Sequence, residues 1–323
     1  MTFKAITNLA RTLFAAAAFM GAVGGAIAAD WPSKPVTLLV PFPPGGNTDA
    51  LARLVAQRLT TALGQPVIVE NKPGAGSMLG SQIVSRSAPD GHTILVGSIA
   101  NALNHYFYKK PLYDIAKDLV PVSQLVNVPN YLAVTSGSPL KSVADIVAAA
   151  KATPEKISCA TTGIGTSTYL SCELFKMMTG TNFVNVPYRG GAAAMTDVIG
   201  GQATMVFANE ALPFIKDKRL AGIAVTTGVR SPLADLPAIS ETLPGFDVTS
   251  WYGVFVPAGT PQPIIDRLSA EIAKIMKSED VQTRLVALGA TPVGSTPKEF
   301  QTYVNAELVR WAGVIKKLNI SLD

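Results

Sequence analysis

The chain has 323 residues, 48% hydrophobic and 15% charged, which is enough apolar mass for a large core in one domain or two. Twenty-seven basic residues stand against 22 acidic ones, and this mild, evenly spread surplus argues against an electrostatic nucleic-acid binder while tolerating anionic ligands. The only histidines, His92 and His105, have no Cys, Asp or Glu at metal-ligand spacing, so neither a metal nor another cofactor is expected.

Residues 1–29 read as a secretory signal peptide. Lys4 and Arg11 form a basic head, LFAAAAFMGAVGGAIA is the apolar stretch, and Ala26-Ile27-Ala28 supplies the A-x-A cleavage pattern near Ala28. The apolar run is short and rich in Ala and Gly, which favours cleavage over a membrane anchor. No cysteine at the cleavage site supports a lipid anchor, and no other stretch is long and apolar enough to span a bilayer. The mature chain is therefore expected to be exported and soluble, with 25 basic and 22 acidic residues once Lys4 and Arg11 are removed.

From there apolar strands alternate with amphipathic helices. VTLLVPF (36–42) precedes a helix over 49–63, VIVE (67–70) one near 77–87, and TILVG (93–97) follows the turn Pro89-Asp90-Gly91. YLAVT (131–135) leads to a helix capped by Ser142, and ISCAT (157–161) to one near 166–179. FVNVPY (183–188), TMVFA (204–208), AGIAVT (221–226) and WYGVFVP (251–257) are further strands, and the tail from 263 onward is mainly helical. This alternation predicts an α/β fold with largely parallel sheets. Glycine turns near both 45 and 163 point to two lobes, and extended segments at 121–130 and 231–247 are the places to cross between them. Two crossings make the first lobe discontinuous: 30–124 and 246–323, with 125–245 as the second lobe and a ligand cleft between them.

PFPPGGNTD (41–49) couples a strand, a glycine turn and a helix start, the usual cradle for an anion. Walker A fails because Asn47-Thr48-Asp49 stands where a Lys-Ser/Thr pair is needed, and the G-x-G-x-x-G dinucleotide pattern is missing. Ligand contact and plain turn geometry remain equal readings, with Asp49 complementing the helix dipole in the second. TTGIGTSTYLSCE (161–173) is a second such turn; Gly163 and Gly165 let the backbone come close, and Thr166, Ser167 and Thr168 exceed what a cap requires. In VPYRGGAAAMTD (186–197), Arg189 could fork onto a carboxylate or lie on a solvated loop. Ser98 and Asn101 sit at another strand end. Cys159 and Cys172 could pair in an oxidising compartment or remain two buried thiols. No G-x-S-x-G elbow exists, and in GAGSMLG (74–80) Ser77 reads as a helix N-cap. The pattern favours binding over catalysis; an exported enzyme using His92 or His105 as base is the competing reading.

Seven stretches in order carry a resemblance: Trp31-Pro32 with PFPPGGNTD, VENKPGAGSMLG, APDGHTIL, LVPVSQL, VPYRGGAAAMTDVIGGQ, WYGVFVPAGTP and ALGATPVGSTPKEF. Together, over nearly all of 30–323, they resemble the periplasmic solute-binding proteins of tripartite tricarboxylate transporters, the Bug-type receptors. The resemblance implies a two-lobed periplasmic binding protein fold (type II-like) that closes on a carboxylate and delivers it to a separate membrane permease; the receptor is expected to be a monomer. It implies first-lobe ligand contacts at Phe42, Gly45, Gly46, Asn47, Thr48, Asp49, Ser98, Ala100 and Asn101. Second-lobe contacts are implied at Gly163, Gly165, Thr166, Ser167, Thr168, Tyr188, Arg189, Gly190 and Asn209. The chain departs from the pattern at Tyr169, where members commonly have His, at Cys172 in place of a small residue, and at Ala208, where members often carry Asp. The missing acid at 208 argues against an amino-acid ligand and for a simple mono- or dicarboxylate. A sensor using the same module for signalling would share all of these features.

Overall fold

A computed structural model describes residues 31–188 and 190–318. The expected signal peptide and Arg189 lie outside the described residues. In chain order, the first part contains β1 (Val36–Val40), α1 (Asn47–Leu63), β2 (Val67–Asn71), α2 (Met78–Ser85), β3 (Thr93–Ser98), α3 (Ile99–Phe107), α4 (Ile115–Asp118) and β4 (Leu119–Pro129). The middle contains β5 (Tyr131–Thr135), α5 (Val143–Ala152), β6 (Ser158–Thr161), α6 (Ser167–Thr179), β7 (Val184–Pro187), α7 (Gly191–Ile199), β8 (Met205–Ala208), α8 (Ala211–Lys216) and β9 (Leu220–Val225). The last part contains β10 (Thr249–Pro257), α9 (Gln262–Lys277), α10 (Glu279–Ala287), β11 (Thr291–Pro292) and α11 (Pro297–Leu318).

These strands form two sheets, ordered β11-β4-β10-β3-β1-β2 and β7-β6-β8-β5-β9. The pairs β1/β2 and β1/β3 are parallel, as are β6/β7 and β6/β8, each joined through a helix as parallel pairing requires. Each sheet is nevertheless mixed, which corrects the expectation of largely parallel sheets. In the first, β10 lies antiparallel between β3 and β4; in the second, β5 lies antiparallel between β8 and β9. The reason is the route of the chain. β4 runs straight into β5 with only Asn130 between them, and β10 returns from the second sheet over residues 226–248, which hold only the short 3-10 turn Ile239–Glu241, so neither arrives through a crossover α-helix. β4 extends to Pro129, past the boundary expected at residue 124.

The two crossing strands meet at one buried threonine. Thr226 Oγ1 donates to the Val248 carbonyl (2.6 Å) and accepts from the Asn130 amide (3.0 Å), while the Thr226 amide donates to the Asn130 carbonyl (3.0 Å). The Val248 amide closes the set onto the Thr226 carbonyl at 2.8 Å.

On α1, Leu51, Leu54, Val55, Leu59 and Leu63 recur at helical spacing and are buried against the first sheet and α9. A second cluster joins the two parts of the molecule: Phe107, Trp251, Phe300 and Trp311 pack in one body with Leu170, Phe175, Phe207 and Phe246. The α11 helix reaches β4, α3 and α6, so it braces both parts from one side.

Candidate ligand site

One cavity of about 650 Å³ lies between the two sheets, within the range of small-molecule sites. Its walls are the loops that leave the carboxyl ends of β1, β3, β6, β7 and β8, the usual location of ligands in open α/β sheets. Because the strands run toward the cavity, the helices that follow start there: α1, α3, α6 and α7 all present their N-terminal turns. The first N–H groups of a helix have no acceptor in a preceding turn and carry partial positive charge, so this geometry favours an anion.

Phe42, Gly45, Gly46, Asn47 and Thr48 line the first wall. Gly45 has φ +86, a conformation open mainly to glycine. Asp49 does not face the cavity. Its carboxylate accepts from the Gly45 amide (3.0 Å), Arg53 Nε (3.0 Å) and Asn71 Nδ2 (3.0 Å), bracing the turn from behind. Burial alone would raise its pKa, but these three hydrogen bonds and the Arg53 charge outweigh that and hold it below the ordinary carboxylate value.

Ser98 and Ala100 also line the cavity, whereas Asn101 does not. Asn101 Oδ1 accepts from the Ser98 amide (2.8 Å) and hydroxyl (3.0 Å), and its Nδ2 donates to Ser81 Oγ (2.7 Å). The pair is a capping arrangement for α3, a helix that the small, apolar IANALNHYF did not announce.

In the second wall, Gly163, Thr166, Ser167 and Thr168 line the cavity and Gly165 does not; a Cβ on Gly165 would stand 3.2 Å from the Phe107 ring. The hydroxyls here mainly hold the loop. Thr166 Oγ1 donates to the Gly163 carbonyl (2.6 Å) and accepts from the Tyr169 amide (3.4 Å), and Thr168 Oγ1 accepts from the Thr162 amide (2.9 Å). What remains for a ligand is chiefly backbone N–H at the start of α6. Cys159 and Cys172 form a disulfide that brackets this loop between β6 and α6. Tyr169, although on α6, does not line the cavity.

Gly190 lines the cavity, but Tyr188 donates its hydroxyl to Asp197 Oδ2 (2.8 Å) and is turned away. Burial, then the Asp197 charge and hydrogen bond, push its pKa up to about 12. Asn209 lines the cavity and accepts from Asn47 Nδ2 at 2.8 Å, a bond that spans the cleft between the two sheets.

Several wall residues were not expected as ligand contacts from the sequence. Ser250 and Tyr252 enter from β10, a strand whose direction was not foreseeable. Burial raises the Tyr252 pKa, and Glu210 adds to it, against hydrogen bonds from Ser250, Thr48 and Asn209. The loop Gly74–Ser77 contributes Gly74, Gly76 and Ser77. Ala75 (φ 46), Gly76 (φ 60) and Ser77 (φ 80) are consecutive left-handed residues, the kind of strain found at binding sites. Ser77 precedes α2 but makes no capping bond; its Oγ accepts from Asn104 Nδ2 at 3.2 Å. Glu210 also faces the cavity, supplying an acid near the position where Ala208 lacks one. This corrects the argument that the site holds no partner for an ammonium: Ala208 is buried within β8, and the acid stands two residues later, where the chain has left the strand. His92 and His105 are not in the cavity wall.

Two mixed α/β sheets joined by paired crossing strands, with a ligand-sized cavity between them, define the periplasmic binding protein class. Among the described residues no helix is long and apolar enough to cross a membrane, and no group of His, Cys, Asp and Glu could hold a metal ion. The chain belongs to the tripartite tricarboxylate transporter receptor family, whose model matches residues 51–320, and whose members are periplasmic solute-binding receptors. It is similar to Protein BugT of Bordetella pertussis, 34% identical over 324 residues, covering 98% of this chain and 99% of that one. A solved R. palustris protein with adipate is 36% identical, with a TM-score of 0.85, covering 91% of this chain and all of that one (100%). MatC from Rhodopseudomonas palustris with bound malate is 32% identical, with a TM-score of 0.81, covering 88% of this chain and 100% of that one.

Proposed function

We propose that this protein is a periplasmic receptor that closes on a small carboxylate-bearing solute and delivers it to the membrane permease of a tripartite tricarboxylate transporter. The observation that carries the reading is the convergence of four helix N-termini from two sheets on one cavity, with no described Lys or Arg in its wall. Such a site holds an anion through backbone N–H groups and dipoles, which suits reversible capture. The adipate and malate bound in related structures agree with it. In this reading the ligand contacts are the Gly45–Thr48 turn, Ser98 and Ala100, Gly163 with Ser167 and Thr168, Gly190 and Asn209.

Residues of the first sheet form one lobe and those of the second sheet the other, and Asn130, Thr226 and Val248 mark the hinge. Opening and closing about this hinge gives the differential affinity that a receptor needs, without a reaction. The N-terminal segment serves as the export signal.

The test is titration calorimetry of the mature protein against mono-, di- and tricarboxylates and their amino derivatives, with the solute assayed for turnover. Saturable binding without conversion is expected, together with loss of uptake when the receptor is deleted from cells carrying the permease. Catalytic consumption of the solute, or no binding across the panel, would overturn the reading.

A further inference from the structure

We propose that Glu210 is the specificity-determining residue of this cavity and selects solutes that carry a cationic nitrogen as well as a carboxylate. The inference rests on the receptor reading above and narrows its ligand class.

Glu210 is the only acidic or basic side chain among the described residues of the cavity wall. The other polar side chains of that wall, including Asn47, Thr48, Asn209, Ser250 and Tyr252, are neutral. Glu210 is partly buried, and the three buried acids among the described residues all have partners. Asp49 has Arg53 and Asn71; Glu173 has Lys176 and Asn185; Glu307 accepts from both Trp251 and Trp311 and lies near Arg310. For Glu210, no ion pair and no hydrogen bond from another residue's donor is found among the described residues, and burial raises its pKa with only its own backbone opposing. It precedes α8 without capping it.

Its position is shaped by a glycine. A Cβ on Gly191 would stand 2.7 Å from both Cδ and Oε1 of Glu210, so a side chain there would displace the carboxylate. The start of α7 offers that carboxylate partial positive charge, and no full countercharge stands there among the described residues. A cavity built from helix N-termini that also holds an acid with no countercharge among the described residues offers a solute groups of both signs. A plain carboxylate uses the helix N-termini and leaves this acid without a partner; an amino carboxylate satisfies both.

The experiment is calorimetry on the wild-type protein with matched pairs that differ only in an amino group: aspartate and succinate, glutamate and glutarate, alanine and propionate, γ-aminobutyrate and butyrate. In at least one pair the amino member is expected to bind about tenfold or more tightly. Glu210→Gln should bring that pair to near equality while carboxylate binding persists. Gly191→Ala, which keeps the Glu210 charge but moves it, should narrow the same gap. Plain acids binding as tightly as their amino partners in every pair, or a preference that survives Glu210→Gln, would overturn the proposal and leave the receptor reading intact. Failure of every compound to bind would overturn both. The wild-type comparison needs no variant to fold.

Discussion

The hydrogen bond from Asn47 Nδ2 to Asn209 Oδ1, at 2.8 Å, joins the first residue of α1 to the loop after β8 and therefore crosses the cleft. It exists only while the two walls hold their present separation, so replacing Asn47 by Ala removes a bond that favours the closed arrangement. A neutral hydrogen bond contributes about 0.5–1.5 kcal/mol net. The closed-to-open ratio should therefore fall by about two- to tenfold, and the apparent ligand affinity should weaken by the same factor. Calorimetry on Asn47→Ala, Asn209→Ala and the double variant would measure the coupling, which should be about 1 kcal/mol and leave the double variant little worse than either single one. Small-angle scattering of the ligand-free protein should show a shift toward a larger radius of gyration. Additive single effects, or affinities unchanged in both variants, would refute the idea that this bond latches the cleft.

Three further outcomes follow from the same geometry. Replacing Cys159 and Cys172 by Ala opens a loop of 13 residues in sequence separation and should lower unfolding stability by about 3 kcal/mol in urea titration; a loss under about 1 kcal/mol would show that the pairing constrains the chain little. The carboxyl of Asp49 titrates below its ordinary 3.8 when folded, so its stabilisation is complete above that value and disappears as pH falls through the lower folded pKa. Asp49→Asn should lower the melting temperature at neutral pH and flatten its decline in acid, and an unchanged acid limb would contradict the role assigned to Arg53 and Asn71. Glu210 has the opposite sign: its folded pKa is raised above 4.5, so the ligand-free protein is destabilised increasingly as pH rises from that value. Glu210→Gln should therefore melt higher than wild type at neutral pH and equal to it near pH 4, and a constant difference across pH would sink this account.

Much of the architecture was legible in the sequence because it depends on local periodicity. The helical spacing of Leu51, Leu54, Val55, Leu59 and Leu63 and the apolar run of β1 announced an α/β unit without reference to anything distant. The loops PFPPGGNTD and TTGIGTST were legible as well, because a strand end, glycines and a helix start are contiguous in the chain. Strand direction was less accessible. Whether β10 runs parallel or antiparallel depends on its arriving from the second sheet without a crossover α-helix, a fact about the path of residues far away in sequence.

Residue roles at the site divided along the same line. Asp49, Asn101 and Tyr188 had the chemistry of ligand contacts, but Arg53 and Asn71, Ser81 and Ser98, and Asp197 hold them elsewhere. Those partnerships are short-range in space and invisible in a motif. Glu210 went unread for the converse reason. An acid after a short strand is usually a solvated loop residue; here it lines the cavity, in room that the absent side chain at Gly191 leaves.

The sequence by itself determined the alternation of elements, two glycine turns at helix starts and the family of the chain, all properties of contiguous residues. Only the tertiary structure decided which polar groups face the cavity and which are held by neighbours, because a side chain's free valence depends on what the rest of the fold places beside it.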